Sequence, residues 1–136
     1  MVTYTDSAEA ICAEQLGGFF VGWPRKLTPE RHLDLLRGSH AMQLALAGDT
    51  VVGFVTAISD GVLSAFIPLL EVLPDYQHQG IGTELMTRVL AQLEGFYMVD
   101  LCCDAGLEPF YDALGFHVLD RGMGIRRHEA LERPSR

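Results

Sequence analysis

Residues 75 to 82 read Asp-Tyr-Gln-His-Gln-Gly-Ile-Gly and lie between an apolar run, LLEVLP, and a stretch, ELMTRVLAQL, with helical spacing. Gly80 and Gly82 lack a Cβ, so the backbone there can take unusual dihedrals and approach a ligand closely. The first N–H groups of the helix that follows have no partner inside the helix, and the helix dipole makes that end positive. A strand, a glycine turn and a helix N-terminus together form a site for phosphate. The Thr83 hydroxyl can add a bond, and His78 is the one basic side chain in the stretch. The same residues can equally form a plain tight turn. A third glycine would be needed for the dinucleotide fingerprint, and Gly-Lys-Ser/Thr for a P-loop; both are missing.

Other side chains with usable chemistry are scattered. Tyr111 sits in LEPFYDALG, and Glu71 sits inside the apolar run LLEVL, where a carboxylate must find a partner, a cavity or water. Asp100 raises the same question, and His40, His78 and His117 titrate in a useful range. Cys12, Cys102 and Cys103 are odd in number and have no metal-site or disulfide spacing, so they read as reduced and mostly buried. His117 reads as a satisfied strand residue. Phe19, Phe20 and Trp23, in GGFFVGWP, read as core or a homodimer contact, with an acceptor-site wall as the functional alternative.

The elements that must hold these groups follow from pattern. VTYT at residues 2 to 5 is a short strand, and AEAICAEQL reads as a helix ended by Gly17 and Gly18. Thr28-Pro29-Glu30 starts a second helix. Two apolar runs around Gly48-Asp49 form a hairpin, and Ser59-Asp60-Gly61 turns into a third strand of that meander, LSAFIPLLEVLP. Pro68 is awkward in a central strand, and a bulge there would absorb it. Ile81, Leu85, Met86, Val89, Leu90 and Leu93 share one helical stripe, which Gly95 ends. FYMVDLCC is then a buried strand, LEPFYDALG a short helix, and FHVLD with GMGIRRH a closing strand pair. This order predicts one α/β domain over residues 1–136, with helices packed on a mixed sheet and a parallel crossover around residues 66 to 102.

The chain has 136 residues and a formal net charge of −8. Residues 1 to 120 carry 5 basic and 16 acidic side chains, a net of −11, while residues 121 to 136 carry 5 and 2, a net of +3. An acidic body disfavours nucleic acid and mildly attracts a cation such as an amine. The basic tail reads as a loose or short helical terminus. There is no apolar run of bilayer length and no secretory pattern at the start, so no membrane partner and a cytoplasmic placement are the expectations.

Gln77-His78-Gln79-Gly80-Ile81-Gly82 resembles the (Q/R)-x-x-G-x-(G/A) acyl-CoA motif of the GNAT superfamily of N-acetyltransferases, and FYDALGF at 110 to 116 resembles its late F-Y-x-x-L-G-F segment. The likeness is specific over about residues 66 to 120 and architectural before that. It implies a mixed, mostly antiparallel sheet of about six to seven strands with about four helices. It implies acetyl-CoA as acyl donor, its pyrophosphate on backbone N–H groups of His78 to Thr83 and its pantetheine arm beside Leu70, Glu71 and Val72. Tyr111 takes the place of the general acid. Asp104 stands where many members carry a cofactor-touching asparagine, and an ionised carboxylate cannot donate as an amide does. The resemblance implies transfer to a primary amine by direct attack in a ternary complex, with a small amine favoured over a protein N-terminus or lysine. Glu71 is the candidate to hold the amine or take its proton, and no metal is implied. The competing readings are a non-catalytic acyl-CoA-binding or sensor module of the same fold, and a small interaction domain whose glycine turn binds nothing.

Overall fold

A computed structural model describes residues 1–134. Ser135 and Arg136, the end of the basic tail, lie outside the described residues. Five strands, β1 (Val2–Thr5), β2 (Ala41–Ala47), β3 (Thr50–Ser59), β4 (Ser64–Val72) and β5 (Met98–Leu101), form one sheet in the order β1-β2-β3-β4-β5. The first three pairings are antiparallel and β4–β5 is parallel. Three α-helices accompany them: α1 (Pro29–Gly38), α2 (Ile81–Gln92) and α3 (Glu108–Asp112). Short 3-10 turns lie at Ala13–Gln15, Pro74–Tyr76 and His128–Glu132.

The sheet is covered on both faces. β3 is the central strand and is buried continuously from Val51 to Ala57. Val52 and Val55 pack with Ile81, Leu85, Met86 and Val89 of α2; they share a face although three positions apart because the β2–β3 register shifts at Ala45/Leu46, opposite Gly53 and Val51. Burying those four side chains of the helix contributes on the order of 8 kcal/mol before entropy is counted. A Cβ at Gly53 would lie 3.1 Å from Leu85 Cδ1 and 3.3 Å from Ile81 Cγ2, so glycine there lets α2 seat closely. On the other face Val51 and Phe54 pack with Leu16, Phe19, Phe20 and Leu36. The Thr28 hydroxyl accepts from Arg31 N at 3.2 Å and Pro29 takes the first helical position, so α1 starts where its sequence signals place it.

The helix expected at AEAICAEQL and the closing strand pair do not form, and the count falls to five strands and three helices. AEAICAEQL forms turns because its own side chains compete for the backbone. Ser7 Oγ accepts from Glu9 N at 3.1 Å, and Gln15 Oε1 turns back to accept from Cys12 N at 2.9 Å. FHVLD and GMGIRRH form no strands; Val118, Leu119, Met123 and Ile125 are exposed. The tail beyond them is drawn to α1 instead: Arg31 Nη1 donates to the carbonyls of Ala130 and Leu131 at 2.9 and 3.1 Å, and Arg25 pairs with Glu132 at 3.1 Å. His117 is accordingly exposed coil and not a strand residue. The three cysteines are free and exposed, not buried: β5, itself exposed at Met98 and half-buried after it, ends at Leu101 before Cys102 is reached, and Cys12 stands at the start of the first 3-10 turn.

Candidate active site

The site begins at a defect in β4. The β3–β4 register shifts between Thr56 and Ile58, opposite Ile67 and Pro68, so the proline sits in a bulge. The parallel pairing of β4 with β5 runs from Ser64–Met98 to Ile67–Leu101 and stops there. Beyond Pro68 the two strands part, and the far edge of Leu69 to Val72 has no strand beside it. Leu73 N donates to Val52 O at 2.8 Å. Antiparallel alternation therefore turns the backbone groups of Glu71 toward β3 and those of Leu70 and Val72 toward the open edge. Gln77 Nε2 reaches back to the Val72 carbonyl at 3.0 Å, which ties the glycine turn to the end of this strand.

At that turn Gly80 is the N-cap of α2 with φ +84°, and His78 also takes a left-handed φ of +63°. The backbone coils so that the N–H groups of His78, Gln79, Gly80, Ile81, Gly82 and Thr83 have no hydrogen-bond partner among the described residues. The run extends past the orphan donors that every helix start leaves. No acidic side chain bonds to it; the first-turn Glu84 pairs with Arg88 at 3.6 Å. Gly82 is not required by crowding. A Cβ there would stand 3.6 Å from Phe110 Cζ and 4.0 Å from Val72 Cγ2, ordinary contact distances. Those neighbours show that the glycine turn, the end of β4 and α3 converge.

Tyr111 lies on α3 beside Phe110, ring centroids 4.9 Å apart, and beside Phe116 at 5.9 Å. It is half-buried, and its hydroxyl has no partner among the described residues. Burial pushes the phenol above its usual value, with Cys103 and Asp104, as anions, adding to the shift. The phenol therefore stays protonated at neutral pH and is a hydrogen-bond donor. Asp104 is exposed, and its carbonyl accepts from Leu107 N at 3.2 Å just ahead of α3.

Glu71 faces the opposite side. It is paired across the sheet with Phe54, and its carboxylate accepts from Phe20 N at 2.8 Å and Val21 N at 3.3 Å. Phe20 is held at φ +64°, an uncommon conformation for an aromatic residue. The charge of a carboxylate in an apolar strand is thus answered by two loop N–H donors. Phe19 and Phe20 are core residues, while Trp23 is 39% exposed. They surround a residue that the spacing of functional types does not single out. His32, four positions after the Thr28 cap and four before buried Leu36, is 1% exposed. Its position on the apolar stripe of α1 was the available signal. Neither ring nitrogen has a partner among the described residues, and burial lowers its pKa to about 4.

Leu70, Val72 and Gln77 to Thr83 therefore gather around the open edge of β4; α3 meets them through Phe110, the neighbour of Tyr111, and Asp104 lies just ahead of α3. The Glu71 side chain is directed to the loop across the sheet. Asp100 lies opposite Phe66 in the paired part of β5, and His40 packs against Phe96 at 5.6 Å. Among the described residues no group of three or more His, Cys, Asp or Glu side chains could hold a metal ion, and no helix is long and apolar enough to cross a membrane.

Comparison with known proteins places the family and the fold. Residues 8–116 match the acetyltransferase (GNAT) family. A crystal structure from Deinococcus radiodurans, provisionally named an acetyltransferase, is 43% identical, covers 94% of this chain and 90% of its own, and superposes with a TM-score of 0.90. A GNAT-family acetyltransferase from Streptococcus pneumoniae is 33% identical over 93% of this chain and 99% of its own, with a TM-score of 0.76. An aminoglycoside N(6')-acetyltransferase from an Acinetobacter species is 29% identical, covering 89% of this chain and 94% of its own.

Proposed function

This chain belongs to the acetyltransferase (GNAT) family, and on that premise we propose that it transfers an acetyl group from acetyl-CoA to a primary amine by direct attack in a ternary complex. The observation that carries the reading is the row of free N–H groups from His78 to Thr83 at the mouth of the opening between β4 and β5. Such a row, at a helix N-terminus, suits a pyrophosphate. The outward backbone of Leu70 and Val72 suits an amide-bearing arm lying along the strand edge. Bound acetyl-CoA would supply an activated thioester.

The protein's own groups then divide the work. Tyr111 donates a hydrogen bond toward a departing thiolate. Its raised pKa makes full proton transfer to a thiol of pKa about 8.5 more uphill than the roughly 2 kcal/mol expected for free tyrosine. Donation is therefore its larger contribution. Glu71 keeps lone pairs beyond the two bonds it accepts from the loop. They can hold an incoming ammonium and pass its proton to water. A small amine is the favoured acceptor. Its approach is helped by the net charge of −8, and the choice is supported by the likeness to an aminoglycoside acetyltransferase.

Two measurements test the reading. Calorimetry with acetyl-CoA is expected to give saturable binding, and no heat at millimolar ligand would remove every cofactor-based account. A thiol-release assay across an amine panel is expected to find at least one acceptor, and silence across small amines and peptides would leave a binding module.

A further inference from the structure

The loop and helix that bury Phe54 stop short of the β5 end of the sheet. β5 is the last strand, and among the described residues no strand lies along its outer edge. Met98 N donates to Leu63 O at 3.1 Å, so the backbone groups of Met98 and Asp100 turn toward β4 and those of Val99 and Leu101 turn outward. Ile58 opposes Phe66, Phe66 opposes Asp100 and Ser64 opposes Met98, and opposing residues share a face. Strand alternation places Phe54 on that same face. Phe54 is buried with Leu36, Phe19 and Phe20, while Ile58, Phe66 and Met98 are exposed. Val62, Leu63 and Tyr97, just ahead of β4 and β5, are exposed as well. A contiguous apolar patch of this kind marks an interaction site.

Residues 117–127 present the complementary problem. Met123 and Ile125 alternate with Gly122 and Gly124 at strand spacing. Yet no strand forms there, and Val118, Leu119, Met123 and Ile125 are exposed. Both ends of the segment are fixed in the chain. Phe116 N donates to Tyr111 O at 3.1 Å, and Arg31 holds the carbonyls of Ala130 and Leu131. The stretch between is an arm that has strand pattern and apolar side chains but no strand beside it among the described residues.

We propose that a second copy of this chain covers the bare face. The two copies exchange residues 117–127, so that each arm adds a strand beside the other copy's β5 and lays Met123 and Ile125 on its apolar face. The inference does not rest on the acetyl-transfer reading. A free strand edge is a template for another strand. Here one chain carries both the edge and the strand-patterned arm, so a two-fold pair satisfies both sets of groups twice over. The length suffices: the four residues of β5 need about 13 Å of arm. Charge selects the same partner. Residues 117–127 hold three arginines and one aspartate, a net of +2, which leaves −10 for the rest of a chain of −8. Arg121, Arg126 and Arg127 therefore approach an acidic body, with Asp100 on the face they would flank.

The test uses the full chain in two measurements. Sedimentation velocity over a range of concentrations reads the oligomeric state. An isotope-filtered NOE experiment on mixed labelled and unlabelled chains reads which residues meet across copies. The expected result is a concentration-dependent dimer, with contacts between the Ile125 methyl groups of one copy and the partner's Phe66 ring. Ile125→Glu changes an exposed coil residue, so its melting temperature should match wild type while its dimer dissociation constant rises at least tenfold. Phe66→Glu alters the receiving face and should weaken the dimer at least tenfold as well. Three results overturn the proposal. One is a monomer at every concentration. Another is a dimer that neither variant weakens. The third is Ile125–Phe66 contact within a single chain, which would mean that the arm closes on its own sheet.

Discussion

Glu71 on β4 and Phe20 in the loop before α1, fifty-one positions apart, are joined by a 2.8 Å bond from the Phe20 N–H to the Glu71 carboxylate. A second bond comes from Val21 N at 3.3 Å. The contact fixes the loop before α1 to the strand whose far edge is open beyond Pro68. Replacing Glu71 by Ala leaves both N–H groups unanswered and is expected to cost about 2 kcal/mol in denaturant unfolding. Glu71→Gln keeps one carbonyl acceptor and loses the charge. It should unfold within about 1 kcal/mol of wild type while kcat/KM falls about 10- to 100-fold. Full activity in Glu71→Gln would reduce Glu71 to a clamp.

Tyr111→Phe removes one hydroxyl from a side chain otherwise held by ring packing. Turnover should fall about 10²-fold with acetyl-CoA affinity nearly unchanged. Because burial raises the phenol's pKa, its ionisation should not appear in the rate profile until the pH is above 10. Near-wild-type turnover in the variant removes Tyr111 from the chemistry.

Gly80 and Gly82 look alike in sequence and differ in structure. Gly80 is left-handed at φ +84°, so Gly80→Ala should cost about 1–2 kcal/mol. A methyl group at Gly82 would meet its neighbours only at ordinary contact distances, so Gly82→Ala should leave the melting temperature of the free protein within a few degrees. Thermal unfolding of the two variants side by side checks the difference.

These cases show what pattern could and could not reveal. The strand–glycine turn–helix unit was legible because its signals are local: an apolar run, two glycines and a stripe from Ile81 to Val89. The bulge at Pro68 was legible for the same reason. The helix expected at AEAICAEQL failed because Ser7 and Gln15 bond to nearby backbone, a competition that spacing does not display. The closing strands expected at FHVLD and GMGIRRH do not form, and Val118, Leu119, Met123 and Ile125 stay exposed, while the tail beyond them is held at residues 130 to 132 by Arg25 and Arg31, about a hundred positions away. The Glu71–Phe20 contact and the cage around His32 are tertiary in the same sense.

His32 should also mark the acid stability of the fold. Its pKa is about 6.5 unfolded and about 4 folded, so the unfolded chain binds the proton more tightly. Stability from this group is complete above pH 6.5 and is lost as the pH falls toward 4, by about 3 kcal/mol in all. Urea unfolding at pH 7 and pH 4.5 should show a larger loss for wild type than for His32→Phe. Equal losses would mean that His32 titrates normally.

The central claim is that the free N–H groups of the glycine turn receive acetyl-CoA. An amide ¹H–¹⁵N titration of the full chain with acetyl-CoA tests it most directly. The predicted result is a set of saturable shifts, largest at His78 through Thr83, with smaller ones at Leu70 and Val72 along the open edge of β4. Absence of saturable shifts, or saturation with the turn unmoved, would contradict it.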